Sequence, residues 1–263
     1  MKFCSLSSGS SGNCEYIEHN DTRILVDAGL SGKKVESLLD SIDVDIKTID
    51  AIFVTHEHLD HIKGVGVLAR RHNLKVFANQ QTFNRMLPKT KEINSENVFF
   101  FENDKSFKFK DIYVEPLSTF HDCVKGTGFT FTDDNNKKVS LLTDTGFVDL
   151  NIMEKISNSD LYFLETNHDE DMLLQGSYPW SLKQRILSNR GHLSNVSASN
   201  LLNQLVTRKK EIVMLAHLSQ DNNLPSLAAR TVRESLLNKN INEGTDYILE
   251  VAQREIASEI YTL

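Results

Sequence analysis

The segment Thr55-His56-Glu57-His58-Leu59-Asp60-His61 constrains this chain more than any other stretch. Four of its seven residues, His56, His58, Asp60 and His61, are competent ligands for a divalent metal. They follow directly on Asp50-Ala51-Ile52-Phe53-Val54, a β-branched and aromatic run that reads as a buried strand. Without a metal, three imidazoles and a carboxylate crowded into one turn would each need a hydrogen-bond partner or water. The pattern predicts a metal held at the end of a strand; the competing reading is a polar surface turn.

A strand of that kind needs a core around it, and 263 residues with 40% hydrophobic content can build one. No Pro-rich or low-complexity linker divides the chain, so a single domain over residues 1–263 is expected. No apolar run approaches the ~20 residues needed to cross a bilayer, so no membrane partner is expected. The first residues, Met1-Lys2-Phe3-Cys4-Ser5-Leu6, lack the long apolar stretch of a secretory signal. Three cysteines, Cys4, Cys14 and Cys123, contain no Cys-x-x-Cys pair and suit a reducing cytoplasm, the expected location. The oligomeric state is left open.

The net charge of −7 argues at first sight against a nucleic-acid partner, but its distribution argues otherwise. Residues 61–91 hold no acid and seven basic residues: Lys63, Arg70, Arg71, Lys75, Arg85, Lys89 and Lys91. Residues 172–210 also hold no acid, and carry Lys183, Arg185, Arg190, Arg208, Lys209 and Lys210. These 13 leave 16 Lys+Arg against 36 Asp+Glu elsewhere, a net −20. Such asymmetry can create a positive face on an acidic protein, or simply reflect solvated helix faces pointing apart.

Short strands are predicted at Phe3–Ser5, Glu15–Glu18 and Arg23–Asp27, and a helix capped by Ser31 carries Val35, Leu38, Leu39 and Ile42. The Ser-Gly run Ser7 to Asn13 reads as a tight surface loop, with a role at a pocket mouth as the alternative. Ile62 to His72 suggests a helix weakened by Gly64 and Gly66. Further strands are expected at 98–101, 112–114, 128–131, 139–143, 161–165, 212–216 and 247–251, with helices near 182–188, 196–206 and 227–237. Strand-rich stretches punctuated by helices predict an α/β fold of two packed sheets with helices outside.

Further candidate ligands stand where strands end. His121 follows Leu117-Ser118-Thr119-Phe120, Asp144 follows Val139 to Thr143, His217 follows Ile212 to Ala216, and Asp27 closes Ile24-Leu25-Val26. Rigid strand ends can aim side chains from distant positions into one site.

Val26-Asp27-Ala28-Gly29, His56-x-His58-x-Asp60-His61, His121, Thr143-Asp144-Thr145-Gly146 and Leu215-Ala216-His217 together resemble the five ordered motifs of the metallo-β-lactamase-fold hydrolases. That resemblance spans most of the chain and implies an αββα sandwich with the metals at one edge of two sheets. Phe3-Cys4-Ser5-Leu6 with the Ser-Gly loop, Glu165-Thr166-Asn167-His168-Asp169 and Gly191-His192-Leu193-Ser194-Asn195 are similar to the YycJ (WalJ) branch. This branch is encoded near a bacterial cell-wall regulatory system and is associated with DNA exonuclease activity.

The resemblance implies two divalent ions, zinc, manganese or iron. His56, His58 and His121 would hold one, Asp60, His61 and His217 the other, with Asp144 bridging and Asp27 fixing the ligand loop. The best-known β-lactamases have a cysteine at the Asp144 position; a carboxylate makes a harder site suited to phosphate esters. Two such ions could share a hydroxide that would attack phosphorus, with Asp60 orienting the nucleophile and able to take its proton. His192 resembles the His-x-Ser/Thr element of phosphodiesterases and is expected to bind the phosphate or protonate the leaving oxygen, against the reading of a plain loop residue.

Asn167, His168, Lys183, Arg185 and Arg190 are candidate substrate contacts; Glu165, Asn167 and His168 fit a pocket rim or a structural turn equally well. The resemblance implies a dinuclear phosphodiester hydrolase, most readily a DNA exonuclease; about 70 residues between Asp144 and His217 leave no room for an added clamp domain, which fits end-trimming or a small substrate. The alternatives are a small-molecule phosphodiesterase, a thioesterase or lactonase-type hydrolase, and a non-catalytic metal module.

Overall fold

The computed structural model describes residues 1–263 as two compact units, with strands and helices numbered in chain order. Unit 1 comprises Met1–Ser118, Cys123–Asn136 and Gln253–Leu263, and unit 2 Thr119–Asp122 and Lys137–Ala252. No helix is long and apolar enough to cross a membrane.

Unit 1 opens with an antiparallel meander, β1 (Lys2–Ser7), β2 (Cys14–His19) and β3 (Thr22–Val26). Three strands then add in parallel, β4 (Ala51–Phe53), β5 (Lys75–Asn79) and β6 (Val98–Phe101), while the short β14 (Tyr261–Thr262) closes the other edge on β1. Parallel neighbours need crossovers, supplied by α1 (Gly32–Asp40), α2 (Leu59–Ile62), α3 (Val65–His72) and α4 (Gln80–Thr90). Ser31 caps α1 as expected, its hydroxyl accepting from Lys34 N, and Val35, Leu38 and Leu39 enter the core.

The single helix expected over Ile62–His72 is two. Gly64 interrupts it because its amide donates to Ala28 O at 2.7 Å, docking the break onto the turn after β3. β5 and α4 fall where the sequence reading placed no element; Asn79 ends the strand and caps the helix by accepting from Thr82 N.

An antiparallel trio, β7 (Phe107–Phe109), β8 (Ile112–Ser118) and β9 (Thr127–Thr132), completes this unit. Its phenylalanines, together with Phe77 of β5, surround Phe53, whose ring centroid lies 4.7 Å from Phe77, 5.5 Å from Phe109 and 5.9 Å from both Phe129 and Phe131. This aromatic box anchors β4, the strand that delivers the histidine segment. Truncating Phe53 to Ala would cost about 3–5 kcal/mol.

Unit 2 holds four parallel strands in the order β10 (Lys138–Leu142), β11 (Leu161–Glu165), β12 (Glu211–Ala216) and β13 (Tyr247–Val251). The first three are apolar and almost wholly buried, as strands covered on both faces should be. Helices α5 (Leu150–Ile156), α6 (Glu170–Gln175), α7 (Trp180–Ile186), α8 (Asn195–Leu205) and α9 (Pro225–Leu237) make the connections. Leu142 pairs with Leu164, and Leu164 with Leu215, so the chain leaves all three strands at one edge. That register delivers Asp144, Glu165 and His217 together.

Candidate active site

Asp27, Asp144 and His217 share an unusual backbone. Each sits just past a strand with a left-handed φ, 60°, 55° and 54° respectively. Asp and His are among the few non-glycine residues that tolerate this region, and such conformations concentrate at functional sites. The kink turns a side chain out of the pleat at the point where the strand stops.

In unit 1, Asp27 organises the histidine segment. Its Oδ1 accepts from Thr55 N at 2.8 Å, and its Oδ2 accepts from Thr55 Oγ1 at 2.7 Å and from His61 Nδ1 at 2.6 Å. Because the Thr55 hydroxyl donates to Asp27, its lone pairs face His56 Nδ1, 3.0 Å away, which must then carry the proton. Both His56 and His61 are thereby fixed with Nε2 as the lone-pair atom.

Asn13 supports the same tautomer independently. Its Oδ1 accepts from Gly9 N, so its Nδ2 is the donor that meets His61 Nε2 at 3.1 Å. Asn13 N also donates to Asp60 O. Gly29 makes this packing possible, since a Cβ there would lie 1.6 Å from Asp60 O. The Ser-Gly loop is therefore built into the ligand turn.

Around this frame, His56 Nε2 lies 3.1 Å from His58 Nδ1, and Asp60 Oδ2 lies 3.5 Å from His61 Nε2. Burial pushes the Asp27 carboxyl up, with the neighbouring His61 and Thr55 pulling it down less strongly.

Unit 2 gathers Asp144, Glu165, His192 and His217, whose potential ligand atoms all lie within 4.8 Å of one another. Glu165 is the hub. Its Oε1 lies 2.7 Å from His192 Nδ1 and 3.0 Å from His217 Nδ1, while Oε2 accepts from Thr145 N at 3.0 Å and Leu193 N at 3.2 Å. Asp144 Oδ1 lies 3.5 Å from His217 Nδ1 and 3.6 Å from His121 Nε2.

Burial alone would raise the Glu165 carboxyl; the His192 and His217 rings outweigh it and hold it down at about 2. Burial works against protonated His192, yet Glu165 and Asp144 push its pKa up. The His192 side chain is 20% exposed, whereas those of Asp144, Glu165 and His217 are 5% or less.

Both donor sets suit a divalent cation. Imidazole nitrogens held in the acceptor tautomer by carboxylates are the usual ligand arrangement for such ions, and hard oxygens accompany them in each unit. His121 belongs to the same design: its Nδ1 faces Gly191 O at 3.1 Å, and Gly191 can approach because it has no Cβ, which would lie 2.0 Å from Ile186 O.

Of the five candidate substrate residues, Asn167, His168 and Lys183 are buried, whereas Arg185 and Arg190 are exposed and bonded within unit 2. Lys183, 7% exposed, donates from Nζ to Leu174 O and Gly176 O at 2.7 Å. Arg185 pairs with Asp122, and Arg190 donates through Nε and Nη2 to His121 O. Asn167 Nδ2 donates to His217 O at 2.9 Å. His168 is 1% exposed, with neither ring nitrogen hydrogen-bonded.

Glu165 and Asn13 bond directly to the candidate site imidazoles, and the sequence reading did not separate them from turn residues. For Glu165 a signal was present: an apolar strand closed by an acid, as at Asp27.

A beta-lactamase superfamily domain model matches residues 22–218. Exodeoxyribonuclease YycJ of Bacillus anthracis is 38% identical over 260 residues, covering 99% of this chain and 98% of the relative. Exodeoxyribonuclease WalJ of Streptococcus pneumoniae is 41% identical over 249 residues, covering 94% and 92%. Among solved structures, the metallo-beta-lactamase fold protein YhfI from Bacillus subtilis superposes with a TM-score of 0.73 at 18% identity, covering 98% of this chain and all of that one. The expected α/β fold is thus present. The chain belongs to the metallo-β-lactamase superfamily of hydrolases, in the family that includes YycJ and WalJ.

Proposed function

We propose that the two units act as one catalytic domain, a dinuclear metal-dependent phosphodiesterase that removes nucleotides from DNA ends. The observation that carries this reading is His192, a solvent-reaching imidazole held through Nδ1 by a buried glutamate and biased toward its protonated form. A glutamate-held imidazolium can donate from Nε2, and a leaving alkoxide needs that proton.

In this assignment His56, His58 and His121 would hold one ion and Asp60, His61 and His217 the other, with Asp144 a candidate ligand for both. The order of the motifs along the chain supports it. Divalent ions so held supply Lewis acidity and a water made nucleophilic at neutral pH.

The protein's own groups then complete the hydrolysis. Water oxygen adds to phosphorus and its proton passes to Asp60. The bond from phosphorus to the leaving oxygen breaks, and that oxygen takes a proton from His192 Nε2. Asp27 and Glu165 keep the ring tautomers unchanged throughout. DNA as substrate is supported by the exodeoxyribonuclease relatives and by the acid-free basic stretches.

Metal analysis together with turnover on DNA, RNA, bis-p-nitrophenyl phosphate and a thioester tests the reading. Two equivalents of metal and preference for DNA are expected. Turnover of the thioester alone would replace it with the small-molecule hydrolase alternative.

A further inference from the structure

A pair of exposed aromatic rings stands beside the unit 2 cluster. Phe120 (38% exposed) immediately precedes His121, and Phe147 (44% exposed) lies three residues after Asp144. Their centroids are 5.5 Å apart in an edge-to-face arrangement.

Both rings are tied to the ligand loops by backbone contacts. Thr145 Oγ1 donates to Phe147 O at 2.7 Å and accepts from Phe120 N at 3.1 Å, and Gly146 N donates to Phe120 O at 2.9 Å. These bonds tie the Phe147 backbone to Thr145, the residue after Asp144.

Phe147 also forms one wall of a cavity of about 330 Å³. Leu150 and Leu193, the neighbour of His192, add apolar surface, and Ser197, Asn200 and Gln204 of α8 add polar groups. No cationic side chain lines it, and Asp149 does. This chemistry disfavours a phosphate. A flat aromatic face, apolar walls and two carboxamides suit a neutral heterocycle carrying both hydrogen-bond donors and acceptors.

We propose that this cavity is a nucleobase subsite: Phe147 stacks on an unpaired base adjoining the scissile phosphate, and Asn200 and Gln204 hydrogen-bond to its edge. The inference rests on the phosphodiesterase reading and deepens it, because a base can enter only when it is unpaired. The substrate class is then a frayed or single-stranded DNA end. Phe120 braces Phe147 edge-on and limits its rotation.

The test is binding of a phosphorothioate-linked oligonucleotide, which resists cleavage, to the metal-loaded protein by fluorescence anisotropy. Two versions are compared, one with a normal terminal base and one with an abasic terminus. Wild type should bind the abasic version about tenfold more weakly, the loss of one stacked base. Phe147→Ala should abolish that discrimination, and Phe147→Tyr should restore it. Exposure of Phe147 makes both variants compatible with folding.

Equal affinity of wild type for the two oligonucleotides would overturn the subsite. So would discrimination that survives Phe147→Ala. Turnover on bis-p-nitrophenyl phosphate and DNA is measured in parallel. Discrimination without any turnover would sink the phosphodiesterase reading and leave the base site standing.

Discussion

The carboxylate of Glu165 holds the His192 ring at 2.7 Å from a position with no exposure of its own. The same oxygen reaches His217 at 3.0 Å, so one buried charge sets the orientation of two imidazoles. Glu165→Gln keeps the shape and removes the charge. Loss of a carboxylate that orients a metal-binding histidine typically costs 10–100-fold in affinity. The variant should release metal to a chelator at correspondingly lower concentration.

Its rate profile should move as well. Glu165 helps raise the His192 pKa against the effect of burial, so removing it lowers that pKa. The alkaline limb, where His192 loses its proton, should then shift to lower pH. An unmoved limb would remove Glu165 from the acid catalyst.

His192→Ala separates catalysis from metal retention. Metal content should remain near wild type, because the ring is proposed as a proton donor and not as a ligand. Turnover on a phosphodiester should fall by about 10²–10⁴-fold, the usual contribution of a general acid. A leaving group that needs no proton, such as p-nitrophenolate, should suffer much less. Equal losses on both substrates would argue that His192 only shapes the pocket.

The histidine segment was legible because four side chains able to ligate a metal in one turn leave few other uses for them. Asp27, Asp144 and His217 were legible through their shared place after apolar strands, and the structure adds the left-handed kink that makes the place special. Glu165 obeys the same pattern, yet it is followed by Thr166-Asn167-His168-Asp169, so its acid merges with a polar turn in the sequence. Only strand register reveals it: Glu165 pairs with Ala216 and so arrives beside His217. Lys183 was opaque for another reason. A lysine in an acid-free stretch looks solvated, whereas its Nζ closes two carbonyls left by the end of α6.

Lys183→Met tests that closing role. Methionine replaces the stem but leaves Leu174 O and Gly176 O without their donor, a loss of about 1–3 kcal/mol. Urea unfolding should show it as a lower midpoint. The salt dependence of DNA binding should be unchanged, because Nζ is turned inward. A slope reduced by about 0.9 would mark Lys183 as a phosphate contact.

His168 supplies a pH-dependent test of unit 2. Burial holds its pKa down at about 4, despite the opposing pull of Glu165, from an ordinary value of 6.5. Between those values the unfolded chain binds a proton that the folded one refuses. The contribution of His168 to stability is therefore complete above about pH 6.5 and falls away as the pH drops towards about 4. A gap of that size corresponds to about 3 kcal/mol. His168→Gln does not titrate, so its unfolding free energy should decline less steeply over this window than that of wild type. Parallel pH dependences would mean that the imidazole gains a partner in solution and is no longer held neutral by burial.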